Sequence, residues 1–196
     1  MAAQLPLLGA GTPLIDPGFR GIRRVPLDKE AWVEHLPGWL CGHQALFDRL
    51  EADTAWVAGE RSIYDDVVSV PRLTAFVDVP GARPQVLRGA AAALCRRYDA
   101  SFDTIGLSLY RDGRDSVAFH RDKVLCDRPT ATVAILSLGE PRRFLLRPLG
   151  GGRSRAFHLG WGDLLVMGGA CQRTWEHGIP KAAQAQARMS LVFRHG

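Results

Sequence analysis

Arg188-Met189-Ser190-Leu191-Val192-Phe193-Arg194 alternates charged or small residues with large apolar ones. In a strand, side chains two apart share a face. Met189, Leu191 and Phe193 therefore form one face, and Arg188, Ser190, Val192 and Arg194 the other. A solvated edge strand would not need three large apolar residues opposite its arginines. The pattern fits a strand with one face on a core and a basic face lining a cleft. Ile105–Tyr110 repeats it, with Ser108 and Tyr110 on one side and Leu107 and Leu109 on the other.

Working outward, the whole stretch after Asp103 reads as short strands separated by polar turns. Strands are expected near Ile105–Tyr110, Ser116–His120, Ala131–Leu138, Arg143–Arg147, Arg155–His158, Asp163–Met167, Trp175–His177 and Met189–Arg194. Gly150-Gly151-Gly152 serves as a hairpin turn. Eight such strands suit a double-sheet jelly roll. Upstream, residues 1 to about 25 are rich in Gly and Pro and read as an extended arm. From Leu27-Asp28 to about Asp53 the pattern turns helical, with Asp28 as N-cap and a break at Pro37-Gly38. Two β-like runs, Val67–Val70 and Leu73–Val77, are separated by Pro71-Arg72, and a second helix runs from Pro84 to about Tyr98. The expected fold is mostly β with flanking helices. It is a double-stranded β-helix over 104–196 with an N-terminal α/β extension over 1–103, integrated as one domain.

At 196 residues the chain can bury one substantial core. Its formal charge of +5 favours polyanionic partners through a phosphate term that weakens with salt. Only Lys29, Lys123 and Lys181 among the 25 basic residues are lysines, a bias that a GC-rich genome also produces. Cys41, Cys95, Cys126 and Cys171 are widely spaced, with no Cys-x-x-Cys pair. That argues against a zinc ribbon and for a reducing compartment. No apolar run reaches transmembrane length, and the N-terminus has no basic segment followed by an apolar core. A cytoplasmic monomer without membrane attachment is expected.

His120-Arg121-Asp122 is a weak signal alone, since His-x-Asp arises often by chance and His35, His43, His158 and His195 are also available as partners. Context changes its weight. His177 lies in Trp175-Glu176-His177-Gly178-Ile179-Pro180, with Arg188 eleven positions later and Arg194 six beyond that. Two imidazoles and a carboxylate form the facial triad that holds non-haem Fe(II) with open positions. Two arginines nearby can take a dicarboxylate through charge-assisted, fork-shaped hydrogen bonds. Together these residues predict an Fe(II)- and 2-oxoglutarate-dependent oxygenase that consumes O2.

Residues 104 to 194 resemble the AlkB family of Fe(II)/2-oxoglutarate dioxygenases. The matching stretches are Leu109–Ser116 followed by His120-x-Asp122, Ser137-Leu138-Gly139 with Arg143-Phe144, Gly162–Met167, His177–Pro180 and Arg188-x5-Arg194. Pro71-Arg72-Leu73-Thr74 extends the likeness into the segment that serves this family as a nucleotide-recognition lid. The resemblance implies a double-stranded β-helix with the metal held by His120, Asp122 and His177. It implies 2-oxoglutarate contacts from Tyr110, Arg188 and Arg194, with Ser190 as a neighbour. Arg188 with Tyr110 is favoured for the distal carboxylate and Arg194 for the metal-bound end.

The implied activity is oxidative demethylation of N-alkylated bases in DNA, releasing formaldehyde and succinate. The substrate would be single-stranded or carry a flipped base. RNA demethylation and protein side-chain hydroxylation are the alternatives on the same scaffold. Arg72, Arg111 and Arg114 are candidate substrate contacts, and Trp175 and Phe119 are candidate stacking aromatics. Two departures stand out. Ser108 replaces the family's usual Asn, shortening a side chain that hydrogen-bonds the co-substrate. Val124 stands where several members carry an acidic residue near the base, which weakens the attraction for a cationic lesion.

Overall fold

The computed structural model describes residues 11–63, 66–122 and 124–195. The first ten residues of the expected arm lie outside these. The strands are β1 (Leu14–Ile15), β2 (Arg23–Pro26), β3 (Ala31–Leu36), β4 (Leu40–Cys41), β5 (Val57–Ile63), β6 (Asp66–Asp78) and β7 (Thr104–Tyr110). They continue with β8 (Val117–His120), β9 (Val133–Gly139), β10 (Arg142–Pro148), β11 (Arg155–Leu159), β12 (Asp163–Gly169), β13 (Trp175–Ile179) and β14 (Arg188–Arg194). The helices are α1 (His43–Asp53), α2 (Val86–Tyr98) and the single turn α3 (Cys171–Thr174). Among the described residues, no helix is long and apolar enough to cross a membrane.

All eight strands expected after residue 103 form, and they fall into two facing sheets. The major sheet runs β2-β3-β12-β9-β14-β7-β6-β5 and the minor sheet β11-β10-β13-β8. The alternation in β14 is what sorts its neighbours. Met189, Leu191 and Phe193 join Leu136, Leu138, Leu164 and Val166 in a core covered by Leu46, Phe47 and Leu50 of α1 and Leu87, Ala90 and Leu94 of α2. A second core lies between the sheets, where Tyr110, Val133, Ile135, Leu165 and Met167 meet Phe144, Leu146, Leu159 and Ile179. Strands β9 and β12 thus have apolar residues on both faces, because helices cover one side and the minor sheet the other. Residues 150–152 turn the β10–β11 hairpin with positive φ at all three glycines, a conformation that favours Gly.

The N-terminal half departs from its expected pattern in two places. Residues 31–36 form β3, paired with β12 and β2, where a first helical piece was expected. Asp28 caps no helix. Its Oδ1 accepts from the backbone N–H groups of Glu30 and Ala31 in a turn, and its Oδ2 accepts from the Trp175 indole at 2.6 Å. Pro71-Arg72 does not separate two strands either, since β6 runs through it. The β5 pairing shifts register between Ala58 and Glu60, opposite this point, so Pro71 sits where no ladder N–H is required. Its carbonyl accepts from Ser116 N at 2.8 Å.

Candidate active site

The inner face of the major sheet carries a polar island at its centre. Register sets Arg188 opposite Tyr110, and Ser190 opposite both Ser108 and Ser137. Leu73 pairs with Leu109 and Thr74 with Ser108, so β6 adds Arg72, Thr74 and Phe76 to the same face. The minor sheet answers with metal-ligand chemistry, because His177 on β13 is the direct partner of His120 on β8.

Their imidazole centroids are 4.4 Å apart. Burial pushes the His177 ring down to about 3, helped by the neighbouring His120, and Phe144 stacks on it at 5.4 Å. His120 opens to solvent on one side. The protein packed against its other side still lowers its proton affinity, and the Arg72 charge adds to that. Both rings are therefore neutral near pH 7, the form that donates a lone pair to a metal. His120 Nδ1 lies 2.9 Å from the Ala118 carbonyl, which fixes that nitrogen as the N–H and leaves Nε2 for a ligand.

Asp122 follows two residues later, buried, its backbone N–H held by Gln172 Oε1 at 3.0 Å. Its Oδ2 accepts from Arg194 at 2.6 Å and its Oδ1 from Val124 N at 3.2 Å. Among the described residues, no three His, Cys, Asp or Glu side chains converge as a ready-made metal-ligand set. The two imidazoles are together, and the carboxylate that would complete them is engaged by an arginine. A cation bound between the histidines would compete with Arg194 for Oδ2.

Arg188 is the most telling residue. Its guanidinium is completely buried, with no carboxylate partner among the described residues. One nitrogen donates to Ser137 Oγ at 2.8 Å and Ser190 Oγ at 3.0 Å, while Nε and the other terminal nitrogen have no partner among the described residues. Burial lowers its proton affinity to about 10, and the charged Arg142 adds to that. Tyr110 lies beside it, 5.2 Å from ring centroid to guanidinium carbon, its own hydroxyl pushed upward by burial. A buried cation with unused donors calls for an anion. A carboxylate of an extended diacid fits that demand.

The remaining expected contacts separate. Arg72 faces the site: its charge reaches both Tyr110 and His120, and its buried Nε has no partner among the described residues. Arg111 is held bidentately by Asp115 at 2.8 and 2.9 Å, and Arg114 by Asp112 at 2.7 and 3.0 Å, so both guanidiniums have partners inside their own turn. Val124 is exposed at the surface. Trp175 does not offer a stacking face. Its indole is buried in the inter-sheet core and anchored on Asp28, which corrects the expectation of a substrate contact. Phe119 has its ring covered by Arg147 at 3.8 Å.

Three residues escaped the sequence analysis. Ser137 receives Arg188, and its place in Ser137-Leu138-Gly139 was visible. Arg142 is buried and donates to the carbonyls of Asp112, Asp115 and Pro180, bracing the turn after β7 against the end of β13. Phe76 is 67% exposed, with the Arg194 guanidinium 5.6 Å from its ring centroid. It lies opposite Gly106, where any side chain would push into the ring. Its two-residue spacing from Thr74 and Arg72 was the available signal.

Comparison with known proteins decides what this arrangement belongs to. The sequence profile of the 2OG-Fe(II) oxygenase superfamily matches residues 50–194. Alpha-ketoglutarate-dependent dioxygenase alkB homolog 3 of Bos taurus is 30% identical over 219 residues, covering 89% of this chain and 75% of that protein. The chain belongs to the AlkB family of 2OG-Fe(II) oxygenases. DNA oxidative demethylase ALKBH2 of Arabidopsis thaliana is 32% identical over 117 residues, but that match covers 47% of this chain and 37% of the relative. The solved structure of OsALKBH1 superimposes with a TM-score of 0.63 at 16% identity, over 87% of this chain and all of the other. As a member of this family the protein is an oxygenase that uses Fe(II), 2-oxoglutarate and O2. The neutral histidine pair and the unsatisfied buried guanidinium fit those groups.

Proposed function

We propose that this enzyme oxidatively demethylates N-alkylated bases in DNA, presented in a single strand or flipped from a duplex, with release of formaldehyde and succinate. The observation that carries the reading is the row Arg72, Thr74 and Phe76 on β6. It comes from outside the eight-stranded jelly roll, yet it lies on the face that holds Arg188 and Arg194. A cation, a small hydroxyl and an exposed aromatic are the side chains a planar heterocycle on a phosphate chain can use. The name of the Arabidopsis thaliana relative, a DNA oxidative demethylase, supports the same substrate class.

His120, Asp122 and His177 would hold the iron, which with O2 and 2-oxoglutarate supplies the oxidising power. This chain's side chains do the rest. Arg188, Ser137, Ser190 and Tyr110 would seat the distal carboxylate of the keto acid, and Arg194 lies at the metal end. The β5–β6 extension would present the base and shield the site from water.

Formaldehyde release from one sequence made as methylated single-stranded DNA, duplex DNA and RNA, alongside peptide substrates, tests the proposal. Turnover should be highest on DNA. Preference for RNA would reassign the substrate, and oxidation of a peptide with every nucleic acid untouched would refute it.

A further inference from the structure

The strand that carries His120 breaks its own alternation. Val117 packs against the inter-sheet core, and His120, three positions later, stands beside His177 on that same inner face. Side chains on one face of a regular strand are an even number of residues apart, so this spacing needs one extra residue. The pairing shows where it sits. Ile179 is opposite Val117 and His177 is opposite His120, which leaves Ala118 and Phe119 to face Gly178 alone. The result is a β-bulge on the edge strand of the minor sheet. Its Ala118 carbonyl lies 2.9 Å from His120 Nδ1, so the bulge both turns the imidazole inward and fixes the ring. On the outer face, Arg147 covers the Phe119 ring at 3.8 Å and donates to Glu176, which ties the bulged strand to β10 and β13.

Gly178 is buried against this bulge, and its φ is not positive, so backbone conformation does not call for glycine there. Space does. A Cβ at this position would stand 2.9 Å from the Val117 carbonyl oxygen, 3.1 Å from Phe119 N and 3.2 Å from the Ala118 carbonyl carbon. All three are main-chain atoms of β8, which cannot rotate aside as a side chain can, and His120 would shift with them. We infer that Gly178 is a positioning residue for the metal, because the room it leaves is what lets the bulge set His120 into the site. This rests on the reading of His120 and His177 as ligands.

The test titrates the full chain with Mn(II) alone, following the free ion by EPR. Gly178→Ala should weaken binding roughly ten- to hundredfold, the usual cost of losing a group that orients a ligand. In the metal-free protein, nitrogen NMR should show His120 losing its fixed Nδ1–H tautomer in that variant, with His177 unchanged. Deleting Ala118 removes the extra residue and leaves Val117 and His120 two apart, on one face of a regular strand. In that background Gly178→Ala has nothing to collide with, so it should cause no further loss of Mn(II) affinity. The same comparison decides the case if Gly178→Ala alone does not fold, since the doubly altered chain should fold and bind as the deletion does. An equal penalty in both backgrounds, or a deletion that cannot fold, would overturn the inference. So would undiminished affinity in Gly178→Ala where His120→Ala binds weakly, and the ligand set would then stand. Undiminished affinity in His120→Ala would remove the ligand reading itself and the inference with it.

Discussion

Replacing Arg188 by Met removes a charge that its buried surroundings hold at a loss. A guanidinium brought near 10 from its usual 12.5 is disfavoured in its charged form by roughly 3 kcal/mol, at about 1.4 kcal/mol per pH unit. Met fills similar volume without needing donors or acceptors. The hydroxyls of Ser137 and Ser190 would each lose a partner, at about 1 kcal/mol apiece, and being register partners they can turn toward each other. The ligand-free variant should therefore be at least as stable as wild type, unlike most substitutions at a fully buried position. Losing a charge-assisted, bidentate contact should raise the 2-oxoglutarate KM about ten- to hundredfold. The assays are thermal melting with and without 2-oxoglutarate plus a redox-inert divalent metal, and 2-oxoglutarate decarboxylation. Wild type should gain Tm on adding the keto acid, and Arg188→Met should not. A variant that loses several kcal/mol of stability while keeping its KM would make Arg188 a structural pillar and refute the reasoning.

Further outcomes are expected. His120→Ala, Asp122→Ala and His177→Ala should each abolish turnover and lower bound iron measured by metal analysis, since a three-ligand site loses affinity and geometry with any arm. Full activity in any one would remove that residue from the set. Ser108→Asn should preserve activity or lower the 2-oxoglutarate KM, because the amide restores reach. A large loss would mean that Thr74 and Ser190, its cross-strand partners, leave no room. Acid should destabilise the fold below about pH 6.5. Burial lowers the folded-state proton affinity of His35 and His43, so only the unfolded chain takes up protons there and stability falls with pH. Asp163, whose carboxyl burial raises, acts in the opposite sense and blunts the loss at more acid pH. Urea midpoints at pH 7.5 and 5.5 check this, and equal values would mean both imidazoles protonate freely in the native state.

What the sequence made legible was mainly what alternation encodes. Strand β14 shows it clearly because one face meets helices and the other lines a polar island, so Met189, Leu191 and Phe193 contrast with Arg188, Ser190 and Arg194. Strand β3 hides it. It is covered on both faces, and its buried Glu34 is held by Tyr98, Arg24 and Arg97, so a helix-favouring Glu stands inside a strand. Pro71 looked like a breaker because a local signal cannot reveal a register shift in the partner strand. At the site, the candidate ligands and the arginines proposed for the co-substrate could be singled out by residue type and spacing. Trp175 and Phe119 were not distinguishable from Phe76, because whether an aromatic is free depends on Asp28 and Arg147, which come from distant parts of the chain.

The bond from Trp175 to Asp28 has a consequence for anyone wishing to transplant this catalytic scaffold. Trp175 opens the strand that carries His177, and its indole is moored by a residue almost 150 positions earlier. Arg155 adds a second mooring on the carbonyls of Pro26 and Leu27. A fragment beginning at residue 104 would keep His120, Asp122, His177, Arg188 and Arg194, yet leave that indole unanchored and β12 without its β3 neighbour. The smallest portable unit therefore begins before Pro26, and chimaeras that exchange the β5–β6 segment should splice downstream of Leu36.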